Sequence, residues 1–249
     1  MIPKRYLLVS GTFLLSVLLY IDRVCISAAK EPITGDLGLS DTEFGWALSA
    51  FALGYALFQT PSGILADRFG PRVVLTSVVI FWSLFTGMTG LAVGFGTLLL
   101  ARFLFGVGEA GAFPSCARAF YSWLPVSERG IAQGINFSGS RLGAAFALPL
   151  VAIMVTTWGW RASFIVLAVV GILWAVFWWI WFKDDPADHR SISDKELDHI
   201  LANRQQPDPD EQEIPKLSAA TLFGSRNMWL AMTQYFCSNF TFFFCLTWL

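Results

Sequence analysis

Asp22 and Arg23 stand side by side in an apolar run, SVLLYIDRVCISAA, and Arg102, Glu109 and Arg141 interrupt later runs of the same kind. Held away from water, a carboxyl group can take up and release a proton as its neighbours change. An arginine fork pairs a carboxylate through two parallel hydrogen bonds and keeps its charge at any accessible pH. The chemistry indicated is therefore proton exchange at Asp22 and Glu109 beside anion capture by arginine. Two embedded acids against three embedded arginines leave one positive charge over, and Arg141 is the candidate for that surplus. Arg102, Gly106, Glu109 and Phe113 follow one another at i, i+4, i+7 and i+11, one face of a helix. Charge facing lipid is expensive, so this face should line the interior or a wet cavity. The static alternative is an ion-pair lattice, Asp22 with Arg102 and Glu109 with Arg141, that merely holds helices together.

The elements that must position these groups are membrane helices. With 55% hydrophobic and only 14% charged residues, the chain does not resemble a soluble domain. A span needs about 20 apolar residues, and such stretches run near 6–29, 44–65, 73–93, 97–120, 131–156, 162–182 and 228–249. At 1.5 Å per residue, Asp22 lies about 24 Å along the first span and Arg102 about 8 Å down the fourth, which enters from the opposite face, so the two share a level. Tyr55, Glu109 and Arg141 come out close to the midplane. The net charge of -1 gives no nucleic-acid surface, and Cys25, Cys116, Cys237 and Cys245 all fall inside spans, as packing residues.

Counting loops with the amino terminus inside, Lys4, Arg5, Arg68, Arg72, Arg118, Arg129 and six later Lys and Arg residues fall on one face, and only Lys30 and Arg161 on the other. Basic loops mark the cytoplasmic side. Residues 183–226 hold ten of the eighteen acids and no long apolar run, which reads as a cytoplasmic linker between bundles. Within it SDKE, Ser193 to Glu196, has capping-box spacing and predicts one short helix. The last apolar stretch ends at Leu249 without a polar flank, which gives the expectation of a truncated seventh helix.

The run GILADRFGPR, residues 63–72, resembles the loop signature of the major facilitator superfamily and sits between the second and third spans, as that family requires. Gly63 is expected to permit close helix approach. Asp67, Arg68, Gly70 and Arg72 complete the gating loop, with Asp67 able to face a positive helix end across the interface between bundles. YIDR at 20–23, RFLFGVGEAGAFPS at 102–115, WLPVSERG at 123–130 and SGSRLGAA at 138–145 are together similar to the anion:cation symporter branch, although Tyr20 stands where many members have asparagine followed by tyrosine.

The resemblance implies an all-α membrane protein: a six-helix bundle over 1–182 built from two inverted three-helix repeats, a linker over 183–226, and a seventh helix from 227 opening a second six-helix bundle that is missing. It implies Asp22 and Glu109 as the protonatable pair and Arg23 as the anchor of a substrate carboxylate, with Tyr55 and Arg102 in the site. The expected function is proton-coupled symport of a sugar acid, hexuronate or related carboxylate across the cytoplasmic membrane, with exchange or facilitated diffusion as the alternative. No cofactor or metal is expected. A heptahelical receptor would also show seven spans, but the seventh holds no lysine for a Schiff base, and no HExxH or serine elbow supports an enzyme.

Overall fold

A computed structural model describes residues 3–205, 221 and 223–248, with side chains as far as 241. Lys216 and the side chain of Cys245 lie outside the described residues. Among those described there is no strand. The helices are α1 (Lys4–Ala28), α2 (Lys30–Leu37), α3 (Asp41–Phe69), α4 (Pro71–Gly90), α5 (Phe95–Glu109), α6 (Ala112–Trp123), α7 (Val126–Trp181) and α8 (Asp194–Asn203), with α9 (Arg226–Trp248) in a separate unit.

Local chemistry sets the boundaries. Ser40 starts α3 with a complete capping box, its hydroxyl accepting from Glu43 N–H while the Glu43 carboxylate accepts from Ser40 N–H. Gly70, at φ 81°, turns the chain from α3 into α4, whose first residue is Pro71, a position where the missing N–H costs nothing. The span expected over 97–120 is present as one span, Phe95–Trp123, whose helix is interrupted between α5 and α6 at Ala110–Gly111, both of which keep helical φ and ψ. Pro114 explains the interruption, because a proline cannot bond the carbonyl four residues earlier and its ring crowds that carbonyl, here Ala110. Helix α7 runs 56 residues, about 84 Å at 1.5 Å each, far more than one crossing of a core about 30 Å thick. Gly159, at φ 81° and ψ 160°, folds it into two limbs, 126–158 and 160–181, the two spans read from sequence. Their outer ends return together, where Trp123 Nε1 donates to the Lys183 carbonyl over 2.7 Å.

The main pairings are α1 and α4 with α7, and α3 with α5. Small residues set the distances, as in membrane bundles generally. The close approach expected at Gly63 is elsewhere: a Cβ there would meet only Pro114, at 3.7 Å. At Gly106 it would collide with the Phe51 carbonyl and stand 2.9 Å from Tyr55 N, and at Gly54 with the Phe103 carbonyl and Val107 N. The two glycines make α3 and α5 cross backbone to backbone. On α7, Gly139 and Gly143 press on the Phe13 and Val17 carbonyls of α1 in the same way.

The compact unit ends at Gln205 rather than at the 182/183 boundary read from sequence, because residues 183–205 pack on the ends of the helices. Helix α8 forms where SDKE placed it, but the capping box is half made: Ser193 Oγ accepts from Glu196 N–H, while the Glu196 carboxylate takes Arg5 N–H at 3.1 Å and the Arg5 guanidinium at 3.5 Å. Arg5 also pairs with Glu128 at 3.0 Å. Asp184 Oδ1 accepts Arg72 N–H at 2.8 Å and so caps the start of α4, whose own N-cap, Gly70, has no side chain to do it. Asp184→Ala should lower stability by about 1 kcal/mol, the usual worth of an N-cap, seen as a fall in the thermal midpoint of the detergent-purified protein. An unchanged midpoint would remove Asp184 from the account of α4.

Candidate functional site

Depth along α1 and α5 puts the charged residues near one another, and the rotation of each helix decides which meet. Consecutive residues on a helix point about 100° apart, so Asp22 and Arg23 leave α1 in different directions. Arg23 Nε donates to Glu109 Oε2 at 2.5 Å, the two side chains 6% and 0% exposed. The Arg23 guanidinium lies over the rings of Tyr55 at 4.4 Å, Tyr20 at 5.0 Å and Phe51 at 5.3 Å. This is a cation held by one carboxylate and an aromatic cage. Glu109 is the last residue of α5, immediately before the interruption at Ala110–Gly111.

Asp22 points the other way. Both it and Arg102 are 1% exposed. The Asp22 carboxyl feels the charges of Glu109 and Arg102 and the indole N–H of Trp82, yet neither of its oxygens closes a hydrogen bond among the described residues. Arg102 rests on the Phe105 ring at 4.2 Å and on Phe51 at 5.4 Å. Its Nε and Nη1, with Arg23 Nη2 and Glu109 Oε1, are likewise buried without a hydrogen-bond partner there. A half-satisfied polar cluster of this kind is costly in a low dielectric.

The ion-pair lattice needs correcting in its second member. Glu109 pairs with Arg23. Arg141 is about 200° around the helix from Gly139, the residue that α7 presses on α1, and it is exposed. It acts on the Tyr20 phenol, which ties it to the edge of the Arg23 cage. Phe113 and Phe137 stack on each other, ring centroids 5.3 Å apart. The shared level of Asp22 and Arg102 was legible from the rise per residue; the contribution of Trp82 was not, one tryptophan among eleven carrying no signal of its own.

The loop residues divide. Asp67, on the last turns of α3, pairs with Arg118 of α6 at 3.5 Å and is largely exposed. Arg68 covers the Phe69 ring. Arg72 donates twice to the Trp179 carbonyl, at 3.1 and 2.8 Å, and stacks on the Trp179 ring at 4.3 Å. Gly70 leaves the space that the Asp184 carboxylate fills, since a Cβ would stand 2.8 Å from it. At the other end of the bundle Arg161 ties Asp36 at 2.9 Å to the Gly90 and Ala92 carbonyls, and Lys30 pairs with Asp41 at 2.8 Å. Arg5, Arg72 and Lys183 thus gather at one end, Lys30 and Arg161 at the other. No group of three or more His, Cys, Asp or Glu side chains among the described residues is placed to hold a metal.

The model of the Major Facilitator Superfamily matches residues 12–249. The chain belongs to this superfamily. Over 248 residues it is 38% identical to the "Probable sulfoacetate transporter SauU" of Cupriavidus necator, covering 100% of this chain and 57% of that protein. It is 33% identical to the hexuronate transporter of Bacillus subtilis, covering 95% of this chain and 53% of the other. Identity is 34% to the "Probable galactarate/D-glucarate transporter GarP" of Escherichia coli, covering 99% and 59%. Among solved structures, a bacterial homolog of the human lysosomal transporter Spinster, inward-facing and unoccupied, superposes with a TM-score of 0.70 at 26% identity, over 90% of this chain and 49% of that one. The proton:xylose symporter XylE shares the superfamily fold at a TM-score of 0.62 and 16% identity, over 81% and 50%. The chain spans about half the length of the curated relatives it matches.

Proposed function

We propose that this chain is the first bundle of a secondary transporter that carries a small organic anion, a sugar acid, hexuronate or related carboxylate, together with protons. The observation that carries the reading is the buried cluster of Arg23–Glu109 and Asp22/Arg102, in which arginine donors and carboxylate acceptors are left unpaired at the level where α5 ends. Relatives named for sulfoacetate, hexuronates and galactarate point to the same anionic class.

In the mechanism Arg23 holds the substrate carboxylate. Its guanidinium is already oriented by three rings, and the incoming anion competes with Glu109 for it. A proton on Glu109 removes that competition, so protonation and anion binding favour each other. This is the reciprocity that coupling requires. Asp22 accepts the second proton beside Arg102, and Tyr55 lines the site. Gly63, Asp67, Arg68, Gly70 and Arg72 act as the gating loop. Residues 183–226 join this bundle to a second one, begun at 227, against which it rocks. The amino terminus and the basic end of the bundle face the cytoplasm, in the inner membrane.

Arg141, at the edge of the Arg23 cage, is the second anchor of the anion. Arg141→Lys keeps the charge and loses the fork, and should weaken substrate affinity about tenfold, the order expected for losing one charge-assisted hydrogen bond. Uptake by the complete gene product, measured against sulfoacetate, glucuronate, galactarate and glucarate, tests both the class and the residue. Unchanged affinity would leave the anion to Arg23 alone. Uptake that ignores the pH gradient would favour exchange or facilitated diffusion.

A further inference from the structure

The second limb of α7 carries a surface with a different chemistry from the charged cluster. Val169, Leu173, Phe177 and Ile180 follow at helical spacing and are 50%, 63%, 52% and 69% exposed, a continuous apolar stripe along a membrane span. The stripe ends in a cavity of about 600 Å³ formed by Phe177, Ile180 and Trp181 below and by Lys183, His189 and Arg190 above.

The cations at the top of this cavity are uncommitted. Among the described residues neither Lys183 nor Arg190 makes an ion pair; Asp184 caps α4 through Arg72 N–H, and Asp185 pairs with Arg204 at 3.7 Å. The floor is rigid. His189 is held edge-on between the rings of Trp123 and Trp181 at 5.4 and 5.5 Å, and its Nδ1 accepts from Ser191 N–H. Burial and the neighbouring Lys4 and Lys183 keep its imidazole below the usual range, so it is neutral at pH 7 and adds no charge of its own.

We propose that this cavity binds an anionic phospholipid, its phosphodiester between Lys183 and Arg190 and one acyl chain along the Ile180–Phe177–Leu173 stripe. Basic pockets at the end of a membrane helix, above apolar surface, match such a headgroup in charge and such a chain in shape. Trp179 and Trp181, at the end of this limb, place the site at interface depth, where aromatic rings concentrate. A free phosphate ester would satisfy the cations only. The apolar wall is what commits the site to lipid.

The test uses the 249-residue protein purified in detergent, with bound lipid counted by native mass spectrometry against dioleoylphosphatidylglycerol and dioleoylphosphatidylcholine. One phosphatidylglycerol should be retained in preference to phosphatidylcholine. Lys183→Gln/Arg190→Gln should lose about fivefold in that preference for each cation removed. Ile180→Asp, which keeps both cations, should also release the lipid. Glycerol 3-phosphate should not displace it. Equal retention of the two lipids, an unaffected double variant, or displacement by glycerol 3-phosphate would each overturn the proposal, the last by showing a phosphate site without a lipid chain.

Discussion

Glu109→Gln should abolish accumulation of substrate against its gradient while leaving exchange of labelled for unlabelled substrate detectable. The amide keeps the shape of the side chain and removes its proton chemistry. It also leaves Arg23 as a buried cation without its carboxylate, and breaking a buried pair from one side costs about 3–5 kcal/mol, so the thermal midpoint should fall in the same variant unless anionic substrate is present. Added substrate restores a negative partner to Arg23, and stabilisation by ligand should therefore be larger in Glu109→Gln than in the wild type. Normal accumulation by this variant under a pH gradient would end the coupling role of Glu109. A ligand-induced rise in midpoint smaller than that of the wild type would end the competition between Glu109 and substrate for Arg23.

Gly106→Ala should damage the fold more than any other single methyl group near the site. Its Cβ would enter the Phe51 carbonyl and approach Tyr55 N to 2.9 Å, both backbone atoms of α3, so no side-chain rotation relieves the clash. The helices must separate, at a cost of about 1–3 kcal/mol or more for overpacking of this kind. Phe51 and Tyr55 move with α3, which takes two of the three rings off Arg23. Loss of stability should therefore come with loss of substrate affinity. Gly63→Ala is the control, because its Cβ meets only Pro114 at 3.7 Å. Equal stability of the two variants would mean that α3 and α5 do not cross at Gly54 and Gly106.

The sequence made the level of each charge legible and left its partner open. Counting 1.5 Å per residue put Asp22 with Arg102 and Glu109 with Arg141. The first pair does share a neighbourhood. For the second, depth says nothing of how α1 and α7 are rotated, and rotation gives Glu109 to Arg23. Glycine is similar: its presence signals close approach without naming the helix approached, so Gly63, in the recognisable loop, drew the reading that belongs to Gly54 and Gly106. Pro114 was in plain view and physically sufficient to interrupt the helix of the fourth span. The contacts of Asp184 and Glu196 were invisible, since both lie in an irregular acidic segment whose partners, Arg72 and Arg5, are 112 and 191 residues away.

The central claim is that anion binding and protonation of the buried cluster are one linked event. Substrate-induced proton movement measures it most directly. The complete gene product is reconstituted in vesicles with a pH-sensitive dye inside and no membrane potential, and an accepted anion is added outside. The account predicts acidification of the lumen on addition of substrate, absent in Glu109→Gln. Substrate entry at the wild-type rate with no change of internal pH would contradict it.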